Sequence, residues 1–175
     1  MARPRILILG HGRHGKDTVA EYLCQRTGLT FRSSSLFLAE RVVMPALAER
    51  GLCYPTVEAC YDDRSNHREA WRDIIAEYNR DDPTRLARAI LREADVYVGM
   101  RMVREFSASA GLFDHILWVD ATGRDVPFDP TMGIEFEPGM VWIDNGFTTT
   151  ATFWQLDAWA DSVGLLRPPP ETPAH

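Results

Sequence analysis

Lysine is almost missing from this 175-residue chain. Lys16 is the only one among 19 basic residues, so the remainder are arginines. Their planar fork suits phosphates and carboxylates, although a GC-rich coding bias would give the same composition. Positive charge as a whole is also in deficit. A formal charge of −6 argues against broad, sequence-independent attraction to nucleic acid and leaves room only for a local basic cleft. Cysteine is scarce, with Cys24, Cys53 and Cys60 showing no metal spacing and leaving an odd thiol under any pairing. That sets aside a disulfide framework and points to reduced thiols in a cytoplasmic setting. His67, His115 and His175 have no ligand spacing, which argues against zinc. Long hydrophobic runs are absent too. "ILIL" ends in glycines and is too brief for a signal-peptide core, and no run reaches the roughly 20 apolar residues that span a bilayer.

What is present is an ordinary globular mix, 45% hydrophobic and 25% charged. One domain is expected over residues 1–166, followed by a Pro-rich tail, "RPPPETPAH" (167–175), expected to be disordered. "RILILG" is a continuous apolar run ending in glycine, the pattern of a buried parallel strand. "KDTVAEYLCQRTG" reads as a helix stopped by Gly28. A short strand in "LTFRS" precedes a serine-capped helix from "SSSLF" that Pro45 should disturb. Residues 56–82 read as mostly helical, with Trp71, Ile74, Ile75 and Tyr78 as an apolar stripe, and Pro83 opens a further helix running to Ala94. "DVYVGM", "HILWVDA" and "MVWIDN" supply three more strands, and "TATFWQLDAWADSVGLL" closes the chain as an amphipathic helix. Strands alternating with helices predict a three-layer α/β domain with a parallel sheet.

Gly10, His11, Gly12, Arg13, His14, Gly15 and Lys16 satisfy the G-x-x-x-x-G-K pattern of a phosphate loop, between a buried strand and a helix, the context that pattern requires. Glycines let backbone N–H groups curl around phosphate oxygens, and the helix N-terminus adds partial positive charge. Lys16 reaches the β- and γ-phosphates of ATP, and Thr18 is placed to bond an α-phosphate oxygen. His11 and His14 read as variable filler. Asp17 stands where the usual loop has a metal-ligating hydroxyl. A carboxylate beside triphosphate repels it unless a cation lies between, and Mg²⁺ accepts carboxylate oxygen directly or through water. "DVYVGM" ends in Gly99 and Met100, without the acid many phosphate-loop proteins use for Mg²⁺. Asp17 is therefore read as the metal position. As the bland alternative, it is simply an acidic first-turn residue. Asp120, ending a later strand, either reaches the metal or forms a turn.

The string "GHGRHGKDT" resembles the deoxynucleoside monophosphate kinases of bacterial viruses, whose loops also run G-K-D-T. The resemblance continues in order along most of the chain. "SSSLF", with Ser33, Ser34 and Ser35, resembles their turn and helix over the acceptor nucleotide. "GMRMVREF", with Arg101 and Glu105, resembles their strand-end arginine and the glutamate one helical turn on. "IDNGF", with Asn145 and Gly146, resembles their loop beside the adenine. It implies a P-loop NTPase fold, nucleoside monophosphate kinase-like, with ATP and Mg²⁺ as cofactors and a nucleotide or DNA as substrate, in the host cytoplasm if phage-encoded. Two departures are visible. No acid precedes the strand-end arginine, and the stretch between "WVDATGR" and "MVWIDN", where such kinases close an arginine-bearing lid, holds only Arg124. A reduced lid suits an acceptor embedded in a polymer. The chain is also similar to a compact phage group that includes the 5-hydroxymethyluracil DNA kinases, which are implied to phosphorylate a base hydroxymethyl group within DNA. The readings carried forward are that group's activity, a kinase of free deoxynucleoside monophosphates, and a non-catalytic ATP-binding module.

On the acceptor side, Asp62, Asp63, Arg64, His67, Arg68, Trp71 and Arg72 form the most unusual polar cluster. On one continuous helix Arg64, Arg68, Trp71, Arg72 and Ile75 would share a face. Arginines there can hold an acceptor phosphate. Trp71 is placed either to stack on a base or in the core. A hydroxyl acceptor must lose a proton, so it needs a nearby carboxylate, for which Asp62, Asp63 and Glu40 are the candidates. Lys16, Asp17 and Arg101 are the expected catalytic residues.

Overall fold

The computed structural model of the protein describes residues 3–126 and 129–166. The expectation for the Pro-rich tail at 167–175 lies outside the described residues. Five parallel strands form one sheet in the order β2-β3-β1-β4-β5. They are β1 (Ile6–Leu9), β2 (Phe31–Ser33), β3 (Val96–Val98), β4 (His115–Asp120) and β5 (Val141–Asp144). The central strand β1 pairs Ile6 with Val96 of β3 on one side and with His115 of β4 on the other.

Its four side chains have no solvent exposure and alternate between two cores. Ile6 and Ile8 point to a layer with Val19, Leu23, Leu156 and Trp159, contributed by α1 (Lys16–Thr27) and α8 (Thr149–Ser162). Leu7 and Leu9 point the other way, toward Phe37, Leu86, Ile90 and Phe106. These come from α2 (Ser34–Leu38), α6 (Arg85–Ile90) and α7 (Val103–Ser109). The expected three layers are therefore present, with each buried Leu or Ile of β1 worth about 1.5–3 kcal/mol.

A third core of Ala39, Val43, Leu47, Cys60, Trp71 and Ile74 holds together a helical cap standing over the carboxyl end of β2. It comprises α2, α3 (Met44–Glu49), α4 (Val57–Asp62) and α5 (Arg68–Asn79). The disturbance expected at Pro45 takes the form of a π-helical turn, Ala39–Val43, between α2 and α3. Pro45 has no N–H to bond the carbonyl one turn back and its ring would strike it, and the wider turn relieves that crowding.

Three expectations for this region need correction. The segment 56–82 is not one helix: after α4 and a 3₁₀ turn at Asp63–Ser65 the chain restarts at Arg68, so Arg64 does not lie on the helix of Arg68 and Trp71. Asp63 drives the break, because its carboxylate accepts hydrogen bonds from Tyr54 (2.7 Å) and Asn66 (2.6 Å) and holds the turn. Ser33 occupies the N-cap position of α2 without capping it, its Oγ pairing instead with that of Ser35 at 2.9 Å. The helix expected from Pro83 to Ala94 is only Arg85–Ile90, begun by the Asp82 carboxylate, which binds Thr84 N–H (2.8 Å) and Oγ1 (2.7 Å).

Among the described residues no helix connects β4 to β5. The described part of that connection is mostly exposed, with Ile134 and the partly buried Met132 reaching the second core and Gly133 N–H donating to Arg101 O at 3.0 Å. No helix of the described chain is long and apolar enough to cross a membrane.

Candidate active site

Ligands of open parallel sheets gather beyond the carboxyl ends of the strands, and the chain concentrates its glycines, serines and unpaired arginines there. The turn after β1 leaves no room for a side chain at two of its own positions. A Cβ on Gly10 (φ +139°) would lie 2.2 Å from Val119 O, and one on Gly15 (φ +82°) would lie 2.4 Å from Asn145 Nδ2. Only glycine fits both positions. What remains is a ring of backbone amides opening on the N-terminus of α1, a cradle of the right chemistry for phosphate oxygens.

That cradle is braced from behind. His14 is buried, and its Nδ1 accepts the Ala121 N–H at 2.9 Å, so the ring proton sits on Nε2. Burial lowers the pKa of His14, partly offset by Asp120, whose Oδ1 lies 3.6 Å away. The His14 carbonyl accepts from Asn145 Nδ2 at 2.9 Å. Asn145 Oδ1 in turn accepts from Thr152 of α8 (2.9 Å) and Arg124 (3.1 Å). His14 is thus no filler, and the side chain of Asn145 is committed to the loop rather than turned to a ligand. Gly146 donates its N–H to Asp144 Oδ1 at 2.7 Å and packs backbone to backbone on Gly123. Asp120 is spent on a turn, accepting from Thr122 Oγ1 at 2.6 Å. His11 stacks edge-on against Trp118 with 5.7 Å between ring centroids.

In front of the loop, Lys16 is buried and donates to His11 O at 2.5 Å. Burial, with Arg101 beside it, pushes its ammonium down to about 8 despite the pull of Asp17 and Asp129. Asp17 and Thr18 are exposed on the first turn of α1, and Asp17 lines the same cleft as Lys16. The missing acid after β3 is confirmed in three dimensions, since Gly99 donates to Ile8 O and Met100 is buried in the core. Among the described residues no three His, Cys, Asp or Glu side chains converge on one point. A single carboxylate at Asp17 still fits Mg²⁺, which commonly takes one or two carboxylates and completes its shell with substrate phosphates and water.

Asp129 belongs to no motif legible in the sequence. Its Oδ2 accepts the Gly12 N–H at 2.7 Å and an Arg101 guanidinium N–H at 2.5 Å, while Oδ1 accepts from Thr131 N (3.0 Å) and Oγ1 (2.6 Å). Burial opposes its charge, but the hydrogen bonds from Thr131, Arg101 and Gly12 outweigh that and hold the carboxyl well below the usual range. An anionic oxygen bound by a loop amide and an arginine is what a transferring phosphoryl group would also present. The Gly12 amide and Arg101 thus share one anionic oxygen of the chain itself.

These groups open on a cleft of about 1260 Å³. Its wall away from the loop carries Ser33, Ser34 and Ser35, then Arg64, Arg68, Trp71 and Arg72 from the cap. The structure thus gathers the cluster despite the helix break. Arg64 stacks on Tyr61 (3.9 Å from its centroid) and donates to Tyr61 O at 2.8 Å, while Arg68 makes no hydrogen bond or ion pair among the described residues. Trp71 is 7% exposed and belongs to the cap core, with its rim on the cleft and on a smaller adjoining pocket lined also by Asp62, Arg64 and Arg68. Ser34 donates to Gly99 O at 3.0 Å. At the cleft floor Tyr97 donates to Glu105 Oε1 at 2.8 Å. Burial raises the Glu105 carboxyl to about 7, against that hydrogen bond.

Two of the carboxylates expected to serve as bases are elsewhere engaged. Glu40 pairs with Arg32 (3.4 Å) and Arg41 (3.6 Å) and does not line the cleft, and Asp63 holds the turn between α4 and α5. Arg124 is likewise no lid cation: it bonds Asn145 and Phe147 O.

No family model matches the chain, and no curated protein does. Among solved structures, an unliganded sugar kinase from Janibacter sp. HTCC2649 is similar at 17% identity and a TM-score of 0.47, over 94% of this chain and 96% of that one. A gluconokinase from Sinorhizobium meliloti 1021 is similar at 15% identity and a TM-score of 0.44, over 93% and 96%. Neither likeness bears on what this chain acts on.

Proposed function

We propose that the protein is a P-loop kinase that transfers the γ-phosphoryl group of ATP to a deoxynucleotide-type acceptor. The lead acceptor is the 5-hydroxymethyl group of 5-hydroxymethyldeoxyuridine in phage DNA. The observation that carries this reading is the facing arrangement of Lys16, the glycine cradle and Arg101 with the serine- and arginine-lined wall across one cleft. The loop amides and Lys16 take the donor phosphates, and Arg101 stabilises charge on the group in flight. Arg64 and Arg68 take a phosphate of the acceptor. Mg²⁺ held beside Asp17 would neutralise the β- and γ-oxygens.

The DNA acceptor draws support from the connection after β4. Its described part forms no helix and carries no free arginine, since Arg124 is bonded to Asn145 and Phe147 O, so it supplies no arginine-bearing lid. A second reading, a kinase of free deoxynucleoside monophosphates, draws on the arginine cluster, which would hold a mononucleotide phosphate as well.

Labelled ATP offered in parallel to 5-hydroxymethyluracil-containing DNA, unmodified DNA and each deoxynucleoside monophosphate separates the two. Label in the first alone is expected. Diphosphates formed from mononucleotides, with unlabelled DNA, would replace the lead acceptor by the second. ATP binding with every acceptor unlabelled would leave a non-catalytic module. For the metal position, Asp17→Ser should retain turnover and shift its Mg²⁺ dependence by several-fold, and an unchanged Mg²⁺ titration removes Asp17 from that role.

A further inference from the structure

We infer that Glu105 is the general base of the site, and that the acceptor group is therefore an alcohol rather than a phosphate. This rests on the kinase reading above and narrows its acceptor. The chemical reason is a difference in what the two acceptors require. A phosphate monoester attacks with an oxygen that is already anionic. An alcohol must give up its proton as the O–P bond forms, and a carboxylate in reach contributes typically 10²–10⁴-fold.

The cleft contains one carboxylate arranged for that task. Asp17 lines the cleft beside Lys16, where it would hold the metal rather than meet the acceptor. Asp129 is pinned by Gly12, Arg101 and Thr131 through both oxygens. Asp62 lines the smaller adjoining pocket with Arg64 and Arg68 and is not among the residues lining the cleft. Glu105 differs from all three. It lies on the first turn of α7, lines the cleft floor and is 7% exposed. Among the described residues no cation pairs with it, and its one hydrogen bond comes from Tyr97 to Oε1. Oε2 is left to receive a proton.

The groups facing Glu105 set its titration. Tyr97 of β3 bonds it, and burial keeps the Tyr97 phenol itself protonated far above its usual value, so Tyr97 stays a donor. Ser34 of α2, beside that phenol, does not ionise in this range. Lys16 and Asp17 of α1, Arg101, Arg104 and Asp129 line the same cleft, and the cap adds Arg64, Arg68 and Arg72. Burial dominates all of these and brings the carboxyl to about 7, where a base is strong enough to take a proton yet still half ionised. In the step itself, the acceptor oxygen forms its bond to the γ-phosphorus, its proton passes to Glu105 Oε2, and the bond to the β–γ bridging oxygen breaks to release ADP.

The test is a pH–rate profile of phosphoryl transfer to 5-hydroxymethyluracil-containing DNA and to the deoxynucleoside monophosphates. For wild type, kcat/KM on the hydroxyl acceptor should fall below a limb near pH 7. Glu105→Gln keeps the size and the Tyr97 contact. It should lower kcat by roughly 10²–10⁴-fold, abolish the limb and leave the KM for ATP unchanged. Tyr97→Phe removes a donor that favours the carboxylate, so the limb should move to higher pH with a smaller loss of rate. Thermal unfolding of each variant shows that the fold survives. If wild type labels the hydroxyl and Glu105→Gln does so at the same rate with the same limb, Glu105 is not the base, while the acceptor reading stands. If wild type labels only mononucleotide phosphates, the alcohol acceptor falls and the base with it.

Discussion

The two walls of the cleft are made in opposite ways. The donor wall is backbone, fixed from behind by polar contacts that reach from residue 14 to residue 152 and leave no room for a single Cβ at Gly10 or Gly15. The acceptor wall is side chains on short helices broken by a π turn and a 3₁₀ turn, with Arg68 unpaired. Triphosphate presents the same oxygens in every turnover, so a rigid amide ring can be matched to it once. Under the proposed function an acceptor would be recognised by shape and by charge, which the long arginine side chains of the cap can supply.

Substitutions can separate the walls. Lys16→Ala on the donor wall should cost the most, about 10²–10³-fold in kcat, with acceptor KM unchanged. A matching pH test uses its lowered pKa. Above about 8 the free ammonium loses its proton, and bound phosphates favour the charged form, so KM for ATP should rise with pH there. In Lys16→Arg it should stay flat.

Asn145→Ala touches no ligand in this account, yet strips the brace. With His14 O left short of its partner and Thr152 Oγ1 falling back on the Asp144 and Thr148 carbonyls, a loss of about 2 kcal/mol in unfolding free energy is expected. Weaker ATP binding should accompany it, and an ATP affinity unchanged in the folded variant would show the loop to be rigid without its frame. Arg68→Ala should raise the acceptor KM about tenfold and leave ATP alone. An effect on ATP instead would mean that the two walls are not separable. The smallest change is expected from Asp129→Asn. Weakening the internal anion should let nucleotide in more easily, lowering the KM for ATP about fivefold, equivalent to about 1 kcal/mol. A raised KM would make Asp129 a support of the site rather than a competitor for it.

The same contrast explains what was legible in the sequence. The β1 run, Gly10, Gly15 and Lys16 are local: a buried strand, two backbone constraints and a helix start fall within a dozen residues, and each leaves a pattern in composition. The cap arginines were legible as a cluster but their helix was not, because Asp63 gathers Tyr54, Asn66 and His67 into a turn that helical spacing does not anticipate. Asp129, the Asn145 brace and the Tyr97–Glu105 pair left almost no signal. Asp129 meets Gly12 across most of the chain, and Tyr97 reads simply as an apolar position of a buried strand. A polar contact between distant segments needs only one suitable residue at each end, and a single residue makes no period.

The brace behind the loop also sets an order in time. A growing chain carries the whole phosphate-loop motif once Thr18 has been added, but Ala121, Asn145 and Thr152, which hold the loop in shape, follow on the order of ten seconds later at ordinary synthesis rates. Through that interval the nascent protein bears the letters of an anion site without its frame. Under the proposed function, ATP would reward only a chain that has already brought β5 and α8 home, and nucleotide binding would act as a check on completed folding rather than an aid to its beginning.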